Sequence, residues 1–185
     1  MQTYYSSLSA IEQKTMQLEG VSCAHCHRKD QLVSHGYVYE KRKGGETEAV
    51  GKRVFCSDRD QHGGCGRTMR LYLDSTVRYL NYAGAQVVAF MLALVAGVSV
   101  QQAYFNATGQ ADARHAYRWL TRLGAQLTAY RSLVHQAPLT SCAALADMRR
   151  PGRLGLLVVT FRSLMLHFGL PLCANFQRQL QRGFL

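Results

Sequence analysis

Two cysteine pairs near the N-terminus constrain this chain more than any other feature. Cys23 and Cys26 have two residues between them, and Cys56 and Cys65 have eight. Two thiolates two residues apart can bind one tetrahedral ion from a single tight turn, and a second pair supplies the remaining ligands. The spacing therefore predicts a structural Zn²⁺ site formed by Cys23, Cys26, Cys56 and Cys65.

The segments around these cysteines have a β pattern. Residues 31–40 and 47–56 are rich in β-branched and aromatic side chains, a Gly-Gly turn separates them, and residues 68–74 alternate like a third strand. Two metal-binding turns joined by an antiparallel hairpin form a zinc ribbon, in which the ion compensates for a small core. We expect a ribbon over 20–75, preceded by an N-terminal tail over 1–19.

The ligand set leaves alternatives open. His25, His27 and His62 flank the cysteines, and any of them could replace one thiolate. Cys142 and Cys173 stand alone and are expected to be small packed hydrophobes. The N-terminus is polar and lacks the basic-then-apolar pattern of a signal peptide, which favours the cytoplasm, where cysteines more often bind metals than form disulfides.

The motifs "CAHCH", "HGYVYE" and "GKRVFCSDRDQHGGCGRT" together resemble the zinc ribbons at the front of insertion-sequence transposases and their short regulatory proteins. In that family the second turn typically reads Cys-x2-Cys-Gly-Arg/Lys-Thr. The "CGRT" at 65–68 matches this pattern, whereas the eight-residue gap departs from it. The resemblance covers residues 20–74 and extends loosely to the next segment, which the family uses as a helix-turn-helix.

The periodicity becomes helical after the ribbon. Residues 77–97 indicate a long buried helix, 98–109 a short one with Ser99 as N-cap and Gly109 as its end, and 110–136 a third beginning near Asp112. The apolar run over 83–100 is rich in Ala and Gly, which favours a core helix over a membrane span. We expect an α+β chain with a helix-turn-helix domain over 76–136 and a C-terminal helical extension over 137–185.

The charge of the chain predicts an anionic partner, and double-stranded DNA is the main candidate. The net charge is +11, and residues 75–185 carry eleven arginines against only Asp112 and Asp147. Three arginines follow one another at i, i+4 and i+8 on the third predicted helix, a spacing suited to major-groove entry but also found on solvated basic faces. The candidate DNA contacts are Arg114, His115, Tyr117, Arg118, Thr121 and Arg122 on this helix, with Lys41, Arg42, Lys43, Lys52 and Arg53 in the ribbon.

The acidic residues argue against a complete transposase. Strand transfer uses three carboxylates to hold two metal ions, and too few follow the ribbon. We therefore expect no enzyme but a DNA-binding accessory or regulatory protein of a mobile element, without membrane contact. A transposase or recombinase and a second copy of this chain are further candidate partners. The alternatives are a metal-dependent nuclease or transposase subunit that uses His25, His27 or His62, and a protein–protein adaptor that recruits a recombinase.

Overall fold

The computed structural model describes residues 2–41, 46–77, 80, 82–136 and 152–185. This described part is mixed in class, with four strands and seven helices, as the α+β prediction requires. It divides into a first unit, Met1–Ala83 with Phe176–Phe184, and a second unit, Gly84–Asn175 with Leu185. The elements are β1 Gln2–Tyr5, α1 Leu8–Met16, β2 Leu32–Lys41, β3 Thr47–Cys56, β4 Thr68–Leu73, α2 Gly84–Val95, α3 Val100–Thr108, α4 Arg114–Ala125, α5 Leu127–Gln136, α6 Gly152–Phe168 and α7 Leu172–Leu180.

The first unit contains one sheet with the strand order β1-β4-β3-β2. The pairs β2–β3 and β3–β4 are antiparallel, and their bounds agree with the three strands predicted from the sequence. Within β3, a Cβ on Gly51 would lie 2.1 Å from the carbonyl oxygen of Leu71. Only glycine therefore allows β4 to approach β3 this closely at that position.

The segment over 1–19, predicted to be a tail, instead carries β1 and α1. Strand β1 pairs in parallel with β4, a pairing between distant parts of the chain. Ser7 caps α1 by accepting a hydrogen bond from the N–H of Ala10 at 3.1 Å, and Ile11 is fully buried against the sheet. The segment therefore contributes an edge strand and part of the core of the first unit.

Two glutamines join the last residues of the chain to this sheet. Gln177 is fully buried, and its amide donates to the carbonyl oxygens of Asp74 at 2.6 Å and Thr76 at 3.0 Å. Gln181 binds both backbone groups of Tyr4, accepting from its N–H at 2.7 Å and donating to its C=O at 3.1 Å. The predicted C-terminal extension over 137–185 is therefore not one separate element, because Phe176–Phe184 belongs to the first unit.

The helices of the second unit follow the predicted order with different bounds. Helix α3 agrees with its prediction, since Ser99 accepts from the N–H of Gln102 at 3.3 Å and Gly109 ends the helix with a φ of 68°. The helix predicted over 77–97 is shorter than expected: α2 runs from Gly84 to Val95, and the described residues Val77, Leu80, Tyr82 and Ala83 before it are not helical.

The helix predicted over 110–136 is broken at Gln126 into α4 and α5. The N–H of Gln126 is shared between the carbonyl oxygens of Arg122 and Leu123, and Arg153 donates to the carbonyl oxygen of Gly124 at 3.0 Å. A side chain that binds a backbone carbonyl, as Arg153 does here, is one of the features found at breaks in the helical hydrogen-bond ladder.

An aromatic triad forms the core between α2, α3 and α4. Phe90, Tyr104 and Trp119 pack edge to face, with ring centroids 5.3 to 6.4 Å apart, and each is at most 1% exposed. This arrangement favours aromatic pairs because the positive edge of one ring meets the negative face of another.

No single helix in the described ranges is long and apolar enough to cross a membrane. Helices α6 and α7 satisfy the length and composition test only when they are taken together, across a bend of 70°. The apolar run over 83–100 forms the 12-residue helix α2.

We expect Trp119→Ala to destabilise the second unit by about 3–5 kcal/mol, because it removes one ring of the triad and leaves a cavity. The control is Tyr117→Ala on the same helix, where the side chain is 53% exposed; it should change the free energy of unfolding by less than about 0.5 kcal/mol. Urea denaturation monitored by circular dichroism measures both. Equal effects of the two substitutions would show that the triad does not hold these helices.

Candidate metal centre

The first cysteine pair lies on a tight turn. Ser22 and Lys29 form an isolated antiparallel bridge, and the N–H of Cys23 donates to the carbonyl oxygen of Arg28 at 2.9 Å. The N–H of His27 donates back to the carbonyl oxygen of Cys23 at 2.9 Å, and His27 takes a positive φ of 59°. These bonds close the turn so that Cys23 and Cys26 face the same point.

The second pair forms a turn of similar tightness despite its eight-residue gap. The N–H of Gly64 donates to the carbonyl oxygen of Ser57 at 2.7 Å, and that of Gly66 donates to Cys56 at 3.0 Å. The polar residues between Cys56 and Cys65 form a loop that extends from the turn, as predicted. This loop brings Cys65 back beside Cys56. A Cβ on Gly64 would lie 2.1 Å from the Ser57 carbonyl oxygen and 2.8 Å from the Cys56 sulfur.

All four sulfur atoms of Cys23, Cys26, Cys56 and Cys65 lie within 4.8 Å of one another. The Sγ–Sγ distance is 3.8 Å between Cys23 and Cys65 and 3.7 Å between Cys26 and Cys56. Four sulfurs at about 2.3 Å from a tetrahedral ion would be separated by about 3.8 Å. The four cysteines can therefore hold a metal ion.

Backbone N–H groups point at two of the sulfurs. His25 donates to Cys23 and Cys65 donates to Cys56, each at 3.3 Å. Burial raises the pKa of both thiols, but hydrogen bonds from the backbone of Cys26 and His25 bring the pKa of Cys23 down to about 7. Burial keeps the pKa of Cys56 at about 12. Because metals bind thiolates, binding at this site must release protons and must weaken as the pH falls.

The three flanking histidines are not part of this cluster. Among the described residues, the four cysteines are the one group of His, Cys, Asp or Glu side chains whose ligand atoms meet closely enough for a shared ion. Desolvation lowers the pKa of His25, with Arg67 adding to the effect, so its imidazole is held neutral more firmly than usual. Nothing in the described ranges assembles His25, His27 or His62 into a catalytic metal site.

The two cysteines outside the pairs, Cys142 and Cys173, are predicted to be small packed hydrophobes. Cys173 is buried, and burial raises the pKa of its thiol, as expected for a packed and unreactive side chain. Cys142 lies outside the described residues.

Helix α4 presents its predicted DNA contacts to solvent. Ala116, Trp119 and Leu123 are buried on one side of the helix. Arg114 is bound to Asp112 by an ion pair of 2.7 Å, which lowers the pKa of that carboxyl to about 2. The exposed residues are Arg114, His115, Tyr117, Arg118, Thr121 and Arg122.

The predicted ribbon contacts are less uniform. Lys41 and Arg53 are exposed, whereas Arg42 and Lys43 lie outside the described residues. Lys52 is half-buried; its ammonium donates to the hydroxyl of Thr15 at 3.2 Å and lies 5.1 Å from the ring centroid of Tyr37. Lys52 therefore helps to hold α1 against the sheet, which makes it a poor phosphate contact.

We expect Gly64→Ala to weaken metal binding at least tenfold, because the new methyl group would displace Ser57 or the Cys56 sulfur. Gly63→Ala is the matched control, since its Cβ would meet only the end of the Arg28 side chain, at 3.3 Å. Titration with Co²⁺, whose absorption reports tetrahedral thiolate ligation, measures both. Equal Co²⁺ affinities for the two variants would contradict this account of the second turn.

Comparison of the chain with protein-family models, with curated proteins and with solved structures found no match. The similarity to transposase zinc ribbons therefore rests on the sequence motifs alone.

Proposed function

We propose that this chain is a DNA-binding accessory or regulatory protein of a mobile genetic element. In this proposal Zn²⁺, bound by Cys23, Cys26, Cys56 and Cys65, stabilises the first unit. The exposed arginines of α4 bind duplex DNA. The observation that carries the DNA-binding part is the division of α4 into a buried apolar side and an exposed basic side.

The donor set favours Zn²⁺ in a structural role. Four thiolates in tetrahedral arrangement are the ligands of structural zinc, whereas catalytic zinc keeps one position open for water or substrate. Cys23 and Cys56 are fully buried, which limits access of a substrate to the ion. The ion would thus contribute folding free energy rather than chemistry.

The arrangement of α3 and α4 supports a helix-turn-helix. Helix α3 ends at Gly109 in the left-handed conformation, and α4 begins five residues later, at Arg114. Tyr104 and Trp119 pack edge to face between the two helices at 5.3 Å. A short turn and a shared core of this kind are typical of the motif, whose second helix enters the major groove.

The charges on α4 favour an anionic partner over a solvated face. Solvated faces normally alternate both signs, but residues 75–185 hold only two carboxylates. Asp112 is already bound to Arg114. Arg118, one turn further along, has no acidic partner in the described part of the chain, and is therefore the first candidate for a base-edge contact.

The mobile-element part of the proposal is supported by the "CGRT" motif at 65–68 and the surrounding ribbon pattern. Neither a nuclease nor an adaptor role gains support from a specific contact in the described ranges. A purified-protein nicking assay with Mg²⁺ or Mn²⁺ should accordingly show no cleavage.

We expect freshly purified, reduced protein to contain one Zn²⁺ per chain, and Cys56→Ser to lose it and unfold the first unit. Cys173→Ala is the control, because this buried thiol lies outside the cluster and should leave the zinc content unchanged. Atomic emission spectrometry measures the metal, and circular dichroism follows the sheet. Protein free of zinc, or equal zinc loss in both variants, would refute the assignment.

We expect Arg118→Ala to weaken binding to a duplex selected from a random pool by about 1–3 kcal/mol and to relax preference at one base pair. Arg131→Ala, on an exposed position of α5, removes the same charge and should preserve that preference.

Lys41→Ala should weaken binding evenly across sequences and lower the salt slope by about one. If Arg118→Ala binds both the selected and the scrambled duplex as tightly as the parent does, the exposed side of α4 is only a solvated basic face.

A further inference from the structure

Two arginines are cross-strand neighbours on one face of the sheet of the first unit. Arg53 on β3 is directly opposite Arg70 on β4, and both are exposed. Their side chains lie on the face opposite α1, because the adjacent Val54 packs with Ile11 of α1 and successive strand residues alternate. Directly opposed like charges destabilise an antiparallel pair. An anion bound between them would remove that cost.

No acidic side chain neutralises this pair in the part of the chain that the structure describes. Among the described residues, the guanidinium of Arg70 donates only to the hydroxyl of Tyr72, at 3.4 Å, on the same face of β4. Both guanidinium groups therefore retain donors for a ligand, in the planar arrangement that suits phosphate oxygens.

An aromatic pair lies beside the two arginines. Phe55 follows Arg53 by two residues, which places it on the same face of β3. The ring of His35 on β2 lies 5.9 Å from that of Phe55, tilted by 41°. His35 is exposed and Phe55 is half-buried, so part of this aromatic surface is open to solvent.

An anion site and an aromatic surface side by side fit a ligand that has both a phosphate and an accessible ring. Proteins that bind single strands combine basic side chains for the backbone with aromatic side chains on which bases stack. Duplex DNA offers phosphates but encloses the faces of its bases. Inorganic phosphate or an acidic peptide would engage the arginines and leave the aromatic pair unused.

We propose that this face of the sheet binds single-stranded nucleic acid, with a phosphate between Arg53 and Arg70 and a base stacked on the His35–Phe55 pair. The proposal goes beyond duplex binding by α4, because it concerns a different unit, a different ligand form and different residues. It also assigns a role to Arg70, His35 and Phe55, for which the sequence alone indicated none.

The first experiment measures binding of labelled oligothymidylate of about 12 nucleotides, a length within the range for one such site, to the full zinc-loaded chain by fluorescence anisotropy. Arg70→Gln should weaken binding about tenfold and lower the salt slope by about 0.7, the value for one lost contact with a single strand. The control is Lys14→Gln, which removes one exposed charge from α1 on the other side of the sheet. It should leave the affinity within about twofold, because Lys14 makes no contact with the strand in this proposal.

A second variant separates binding from folding. Arg70→Glu places an opposite charge across from Arg53, so it should keep or raise the melting temperature while it abolishes binding. Unchanged oligothymidylate affinity in Arg70→Gln and Arg70→Glu would overturn the proposal. An equal loss in Lys14→Gln would do so as well, because binding would then follow net charge alone.

The stacking part has its own test. An abasic strand of equal length should bind at least tenfold more weakly than oligothymidylate, and His35→Ala should reduce that difference. Equal affinity of the two strands would refute stacking.

Binding of oligouridylate, measured in the same way, shows whether the site prefers DNA or RNA. Tight binding of either one supports the site. Arg118→Ala should not change the affinity for single strands. A failure of the duplex-binding proposal for α4 can therefore be distinguished from a failure of this single-strand proposal.

Discussion

The convergence of four cysteine sulfurs within 4.8 Å is the constraint on which the first unit depends. Four thiolates cannot remain this close without a cation, since each negative charge raises the pKa of its neighbours. Cys23 and Cys56 also belong to the same buried cluster as Ile11, Val54 and Leu71. The centre is thus continuous with the hydrophobic core, and a bound ion would stabilise the same strands as the core packing.

The other candidate residues of this unit lie on strands that adjoin these cysteines. Cys56 ends β3 and pairs with Leu32 at the start of β2, so an ion bound by Cys56 would fix the open end of the hairpin. The register of β3 then sets Arg53 opposite Arg70 on β4. The second unit has a different basis, because its aromatic triad needs no metal to hold α4 with its basic side exposed.

Local signals in the sequence predicted the local features of the structure. The cysteine spacing identified all four residues that now cluster, and Ser99 and Gly109 marked both ends of α3 correctly. Features that depend on distant contacts were missed. Strand β1 forms only by pairing with β4, and Gln181 has a partner only because the C-terminus returns to Tyr4. Sequence periodicity carries no information on such pairings, nor on the cross-strand neighbour of an arginine.

The central claim is that a metal ion bound by four cysteines holds the sheet of the first unit together. Hydrogen exchange of the full chain, before and after removal of the metal by a chelator, tests it most directly. We predict that amides of β2, β3 and β4 lose their protection when the metal is removed, while those of α2, α3 and α4 keep theirs. Unchanged protection of the three strands would contradict the claim and show that their packing is sufficient without the ion.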